Sequence, residues 1–357
     1  MFNLHLSYKW LQWRAPPNRP LPSLPSGIER FFIQTPGGRI EMLYAKPKSY
    51  PQTRHAPFYF VHGGMGGAWV WLEYLSYFSA RGIPCYAVSM RGHGSSWHPS
   101  FLRMVYGTTK RMLADDVVAG IRWVQEREEG REEVVLVGHS SGGGLSQFIL
   151  SEQDVKVKGL ALVGAVPGFG SVRVYWNWFC VDPLFTVRMI LHGHHPNSPL
   201  SHPALTRQAF FSNQVTGSFV EGFQRRICAY ESLMWPLGMG RPFVDPQKLI
   251  QQISGWGTGT GTGQRLLVLA GEYDKLVSLD INETLASMYR GAYIGLVKQK
   301  KLEAVPTEVE PLQGEGDKDN VGHGVRVCLV PGAGHHMQND VMWEVGAQKL
   351  LAFYEQL

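Results

Sequence analysis

One short segment, residues 134–144 (VVLVGHSSGGG), restricts the fold of this chain more than any other. Four apolar residues typical of a buried strand run into the pattern G-x-S-x-G, and a helix-compatible stretch follows. A serine at such a strand-to-helix turn is held in a strained backbone conformation that projects its hydroxyl beyond the sheet. A pattern centred on Ser141 would put His139 where a small residue is needed. We therefore predict that Ser140 is a nucleophile.

Short apolar runs alternate with helix-length amphipathic runs over most of the chain. The predicted strands are residues 30–34, 39–45, 57–61, 83–90, 133–137, 157–166, 265–270 and 325–330. The predicted helices are residues 69–80, 109–128, 141–152, 278–296 and 340–356. Alternation of this kind produces crossover connections and a mostly parallel central sheet flanked by helices. The predicted fold class is therefore α/β.

The alternation stops between residues 168 and 250, which are rich in aromatic residues and proline and contain a helical stretch at 218–232. It resumes afterwards. We therefore predict one core, formed by residues 27–167 and 251–357, with residues 168–250 inserted as a helical lid. The low-complexity run at 255–263 is typical of a flexible joint.

Two further segments fall outside the alternation. Residues 301–324 are charged and contain glycine and proline, which favours a surface loop insertion. Residues 1–26 form an N-terminal arm whose prolines prevent regular structure near its end. Its tryptophans are apolar enough to dock on the lid or on a partner, and a poorly ordered tail is the alternative.

A serine nucleophile needs a base, and the base needs an acid that orients it. His335 follows the last predicted strand on a glycine-rich loop, and the adjacent His336 stays open as the alternative. Asp274 follows the strand before it, with Glu272 as the second candidate. No carboxylate occurs in residues 165–171, which removes the main alternative position for the acid.

Acyl transfer also requires backbone N–H groups that stabilise a developing oxyanion. The first turn of the helix after the nucleophile has free N–H groups, so Ser141 should provide one donor. The second donor should come from the glycine-rich loop that follows the third predicted strand, from either Gly64 or Met65.

Five landmarks occur in the order and spacing of a known superfamily. They are H-G-G at 62–64, R-G-H-G-S-S at 91–96, G-H-S-S-G at 138–142, D-x-x-V at 274–277 and G-x-G-H at 332–335. On these motifs the chain resembles the α/β-hydrolase superfamily, in particular its lid-bearing serine hydrolases of esterase or lactonase type. The resemblance covers about residues 30–357, apart from the two insertions. Epoxide hydrolases and haloalkane dehalogenases of this fold have aspartate at the elbow, so Ser140 favours acyl transfer instead.

The aromatic residues of the predicted lid indicate an apolar substrate pocket. We predict that Trp176, Trp178, Phe179 and Tyr230 line it, although each one could equally pack the lid onto the core. The predicted activity is hydrolysis of a carboxylic ester or lactone of a bulky apolar small molecule through an acyl-serine. It requires no cofactor, and the four scattered cysteines do not form a metal motif.

Other activities remain open. Relatives with unusual lids act on natural-product intermediates of secondary metabolism, as C–C bond hydrolases, thioesterases or transacylases. A protein of another class, a non-catalytic small-molecule receptor, could retain both the pocket and the triad.

Composition limits the partners. The net charge of +5 is not concentrated in a dense Lys/Arg block, so we expect no nucleic-acid binding. No run of about 18 apolar residues exists, so we expect no membrane span. Without a signal peptide pattern, a soluble cytoplasmic protein is expected. The sequence leaves open whether the chain forms a homodimer.

Overall fold

The computed structural model describes residues 4–17, 20–47, 56–128, 133–257, 263–303, 313–314 and 318–357. Within them a single sheet forms the centre of the molecule. Its strands are β1 (Ile28–Thr35), β2 (Gly38–Ala45), β3 (Phe58–Val61), β4 (Cys85–Ser89), β5 (Val135–His139), β6 (Gly159–Val163), β7 (Leu266–Gly271), β8 (Gln313–Gly314), β9 (Asn320–Gly322) and β10 (Val325–Val330). All eight predicted strands are present, with ends shifted by a few residues.

The strand order is β1-β2-β4-β3-β5-β6-β7-β10-β9-β8. The six central strands, from β4 to β10, are parallel, and antiparallel pairs occur only towards the two edges among these strands. The carboxyl ends of the parallel strands therefore meet along one edge, which is where ligands bind in open α/β sheets. The predicted α/β class with a mostly parallel sheet is confirmed.

Helices cover both faces of the sheet and fill the connection between β6 and β7. They are α1 (Leu72–Ser79), α2 (Lys110–Arg127), α3 (Ser140–Ser151), α4 (Val172–Val181), α5 (Phe185–Leu191), α6 (Pro203–Phe210), α7 (Gly217–Gln224), α8 (Met234–Leu237), α9 (Pro246–Ile250), α10 (Leu279–Lys298) and α11 (Trp343–Tyr354). Side chains that alternate along each strand divide into two cores. One core contains residues of α2, α3 and α10, and the other contains residues of α1 and α11. Because both faces are covered, the central strands are continuously apolar.

Two predicted segments differ from the structure. The helix predicted at 218–232 ends at Gln224, because the residues after it bond to core loops. Cys228 N–H donates to Met65 O over 3.0 Å, and Ser232 Oγ donates to Thr108 O over 2.5 Å. The predicted surface loop at 301–324 contributes β8 and β9, which extend the sheet because their backbones pair in sequence onto β10. Of the predicted joint at 255–263, residues 258–262 lie outside the described residues.

The described part of the N-terminal arm packs against the connection between β6 and β7. Tyr8 Oη donates to Leu191 O over 2.8 Å, and Arg188 Nη1 donates to Leu4 O over 2.7 Å. The ring of Trp13 lies 4.7 Å from that of His195. Of the two alternatives for the arm, these contacts favour docking.

Among the described residues, no helix is both long enough and apolar enough to cross a membrane.

Candidate active site

Ser140 lies at the turn between β5 and α3 with φ of 52°, in the left-handed region that non-glycine residues rarely adopt. The turn is tight because the helix begins directly above its strand. A Cβ on Gly142 would lie 2.1 Å from His62 O, and one on Gly143 would lie 2.4 Å from Ala165 Cβ. Only glycine fits at these positions, which explains the glycine run that follows the serine.

The structure brings Ser140, His335 and Asp274 together in a continuous hydrogen-bonded chain. His335 Nε2 lies 2.9 Å from Ser140 Oγ, and His335 Nδ1 lies 2.8 Å from Asp274 Oδ2. A carboxylate can only accept, so Nδ1 carries the hydrogen and Nε2 is free to accept the proton of the serine hydroxyl. The arrangement is that of a nucleophile with an oriented base.

Asp274 is fixed by the backbone of its own loop. Its second oxygen, Oδ1, accepts the N–H groups of Leu276 and Val277, each over 2.9 Å. The loops that carry Asp274 and His335 follow β7 and β10, which are adjacent parallel strands, so their proximity results from the sheet order. The second candidate, Glu272, binds Gly332 N–H over 2.8 Å on the exposed side and has no contact with His335.

His336, the alternative base, lies in a different environment. Its side chain is 2% exposed and packs against the rings of Phe210 and Phe223, with centroids 4.6 and 4.9 Å away. Burial, together with repulsion from His335, lowers the pKa of His336 to about 3. It has no contact with Ser140 among the described residues, so geometry favours His335.

Behind these three residues, His139 bonds to the backbone of His335. Its Nε2 donates to His335 O over 3.0 Å. Burial and the neighbouring histidines lower the pKa of His139 well below its ordinary value, so the ring is neutral.

The three predicted oxyanion donors lie in the wall of one cavity with Ser140. Ser141 is in the first turn of α3, where N–H groups have no partner within the helix. In the described part of the chain, no acceptor bonds the Gly64 N–H. The Met65 N–H differs because it donates to Glu231 Oε2 over 2.6 Å. Of the two alternatives for the second donor, geometry favours Gly64.

The cavity has a volume of about 130 Å³ and an apolar wall provided largely by the connection between β6 and β7. Its aromatic lining residues are Tyr175, Trp178, Phe185, Phe210 and Trp235. Three of the four predicted pocket residues do not line it, and only Trp178 does. Trp176 and Phe179 are 62% and 41% exposed and stack on each other, while Tyr230 is buried elsewhere, with its hydroxyl donating to Pro99 O over 2.6 Å.

The rotation of α4 explains most of this correction. Residues three apart share a helix face, so Tyr175 and Trp178 point together into the cavity, whereas Trp176 and Phe179 point together into solvent. The spacing of these aromatic residues in the sequence predicts that they form two pairs, each on one side of the helix. It does not indicate which pair faces the core.

One further cluster has the chemistry of metal ligands. The ligating atoms of His93, Cys228 and Glu231 lie within 4.8 Å of one another, and all three residues are buried. His93 Nε2 and Glu231 Oε2 are directly hydrogen-bonded over 2.8 Å, so these two groups already satisfy each other. Sequence analysis missed Glu231, because 166 residues separate it from its partner Met65.

Comparison with known proteins agrees with this fold. A family model described as the alpha/beta hydrolase family matches residues 58–344, and the chain therefore belongs to that family. A search of curated proteins gives no significant match.

Solved structures with the same fold include two esterases. One, from Thermogutta terrifontis, is 17% identical with a TM-score of 0.57, over 92% of this chain and 98% of that one. Another, from Exiguobacterium antarcticum, is 16% identical with a TM-score of 0.58, over 91% and 98%. A bromoperoxidase from Bacillus anthracis is 16% identical with a TM-score of 0.57, over 92% and 100%. At these identities the similarity establishes the fold alone.

Proposed function

We propose that this protein is a serine hydrolase that cleaves a carboxylic ester or lactone of a bulky apolar small molecule. The observation that supports this most strongly is the chain from Asp274 through His335 to Ser140 at the floor of an apolar cavity. Residues 168–250, which provide most of the cavity wall, act as its lid. Names of structural neighbours, esterases among them, agree with acyl chemistry.

The proposed reaction proceeds through an acyl-serine. Ser140 Oγ attacks the carbonyl carbon while its proton moves to His335 Nε2, and Asp274 stabilises the imidazolium. The N–H groups of Gly64 and Ser141 stabilise the negative oxygen of the tetrahedral intermediate. His335 then donates its proton to the departing alkoxide as the carbon–oxygen bond breaks. In the second half, water attacks the acyl carbon while its proton moves to His335 Nε2. The bond to Ser140 Oγ then breaks, Ser140 takes the proton back from His335, and the acid leaves.

The character of the cavity defines the substrate class. Besides the aromatic residues, its wall contains Val174, Met189, Leu233 and Leu276. Burial of apolar substrate surface against such a wall favours binding by roughly 25 cal/mol per Å². We therefore expect kcat/KM to increase when the acyl or alcohol part of a test ester becomes larger and more apolar.

Fluorophosphonate labelling combined with ester turnover tests the proposal. We expect stoichiometric labelling of the wild type, its loss in Ser140→Ala, and hydrolysis of p-nitrophenyl butyrate that falls by at least about 10⁴-fold in that variant. Ser141→Ala is the matched control, because the backbone N–H remains, and it should retain labelling.

Two outcomes would contradict the proposal. Absence of both labelling and hydrolysis over a series of esters would favour the receptor alternative. Cleavage of a ketone substrate with inert esters would indicate a C–C bond hydrolase.

A further inference from the structure

Glu231 is a buried carboxylate in the wall of the cavity, next to the proposed oxyanion donors. Its side chain is 7% exposed. A Cβ built on Gly64 would lie 3.7 Å from Glu231 Oε2 and 3.9 Å from Ser141 Oγ. One carboxylate oxygen is therefore within a few ångströms of the space in which the substrate carbonyl must lie.

Three groups surround the carboxylate of Glu231. Oε2 accepts the Met65 N–H over 2.6 Å and lies 2.8 Å from His93 Nε2, and Oε1 accepts the Ser232 N–H over 2.7 Å. His93 Nδ1 lies 2.9 Å from Arg91 O, a carbonyl that can only accept. Both ring nitrogens of His93 therefore face acceptor oxygens, which is the arrangement that suits an imidazolium.

The electrostatics of His93 agree with this protonation. Burial is the largest single influence on the pKa of His93 and lowers it, but Glu231 and Cys228 together raise the pKa well above the ordinary value. The two residues form a buried ion pair, with the histidine 0% exposed.

The ion pair has a defined orientation. Glu231 belongs to the cavity wall, whereas His93 does not, so the negative end of the pair faces the cavity. Within the described residues, no lysine or arginine lines the cavity, so the counter-charge of Glu231 is His93 behind the wall. The phenol of Tyr175 in the same wall carries no charge at physiological pH.

The other buried histidines nearby add no positive charge. Burial lowers the pKa of His62, His139 and His336, each with a contribution from neighbouring histidines, so these rings are neutral at physiological pH. A ligand in the cavity therefore experiences a negative potential in a largely apolar surrounding, where charges interact more strongly than in water.

We propose that Glu231 is a specificity determinant that excludes acyl groups carrying a carboxylate and admits neutral or cationic ones. This inference rests on the proposed esterase activity and names the substrate class of that same site. Two like charges about 4–6 Å apart in such a site correspond to discrimination on the order of 100-fold.

A pair of esters that differ in charge tests the inference. Mono-p-nitrophenyl adipate is an anion, and its methyl ester, p-nitrophenyl methyl adipate, is neutral and of similar length. We expect the wild type to prefer the neutral ester by about 100-fold in kcat/KM, and Glu231→Gln to reduce that ratio by at least about 10-fold. Because the result is a ratio within one protein, partial loss of active protein cancels.

Matched variants separate charge from structure. Glu221→Gln removes an exposed carboxylate of α7 in the same inserted segment, and its ratio should equal that of the wild type. Met189→Lys adds a positive charge to the cavity wall without altering the bonds of Glu231, and its ratio should also fall. If Glu231→Gln does not fold, the wild-type ratio decides, because a ratio near one overturns the inference.

The possible failures can be distinguished. If the wild type hydrolyses both esters equally well, or if the ratio is unchanged in a folded Glu231→Gln, the inference is overturned while the proposed function stands. If the wild type hydrolyses neither ester and fluorophosphonate does not label Ser140, the proposed function fails and this inference with it.

Discussion

The cavity has two unlike walls, and each contains a carboxylate paired with a histidine. The wall formed by the sheet edge holds His335, which is paired with Asp274 behind it, and the two residues lie on loops that follow adjacent strands. The wall formed by residues 168–250 holds Glu231, which reaches back to His93 on the core. In the first pair Nε2 of the histidine is free to accept a proton from Ser140, whereas in the second both nitrogens are donors.

This difference shows that the chemistry of a histidine–carboxylate pair depends on the group that faces the other ring nitrogen. At His93 the Arg91 carbonyl faces Nδ1 and the Glu231 carboxylate faces Nε2, so both ring nitrogens meet acceptor oxygens. At His335 the Asp274 carboxylate fixes the hydrogen on Nδ1, and Nε2 faces the Ser140 hydroxyl. We therefore expect substitutions in the sheet wall to affect kcat, and substitutions in the inserted wall to affect the choice of substrate.

The largest expected effect comes from two adjacent histidines of the sheet wall. His335→Ala should lower kcat for p-nitrophenyl butyrate by about 10⁵-fold or more, since it removes the base. His336→Gln should retain kcat within about 10-fold, because this ring has no contact with Ser140. Steady-state kinetics on purified variants provide the measurement, and a larger loss in His336→Gln than in His335→Ala would reverse the assignment.

In the inserted wall, two tryptophans of α4 provide a matched pair. Trp178→Ala should lower kcat/KM for a naphthyl ester by about 30-fold, because about 80 Å² of apolar contact with the substrate corresponds to roughly 2 kcal/mol. Trp176→Ala, on the solvent face, should stay within about 2-fold of the wild type. Equal losses in both variants would show that α4 is rotated relative to this structure.

The last prediction concerns stability rather than rate. The pKa of His336 is about 3 in the folded protein, against 6.5 ordinarily. Below pH 6.5 the unfolded chain therefore takes up a proton that the folded protein does not, and the free energy of unfolding falls by about 1.4 kcal/mol per pH unit from this residue.

His336→Gln should remove this contribution from the slope between pH 6 and pH 4, with the slopes due to His62 and His139 remaining. Urea unfolding at several pH values measures it. An unchanged slope in the variant would mean that His336 is not buried in its neutral form.

The sheet wall could be predicted from the sequence, and the inserted wall could not. Ser140, Asp274 and His335 each follow a strand, and parallel strands bring their carboxyl ends together whatever the rest of the chain does. The inserted wall depends on helix rotation and on contacts between distant residues. The prediction that Trp176 and Phe179 line the cavity is wrong because α4 turns them outward. The prediction for Tyr230 is wrong because this residue is buried elsewhere, with its hydroxyl bonded to Pro99.

The hydrogen bonds of Met65 have a consequence for how fast ligands are exchanged. Both of its backbone groups bond to the inserted segment, through Glu231 and Cys228, and its φ of 64° is strained. A motion that lifted residues 228–231 would release this strained loop and disorder the proposed oxyanion hole. An opening that preserves these bonds would have to displace other parts of the inserted segment, such as α4 and α5. Because Tyr8 of the N-terminal arm bonds to α5 at Leu191, such a motion would also have to break that bond or carry the arm along, which would slow product release.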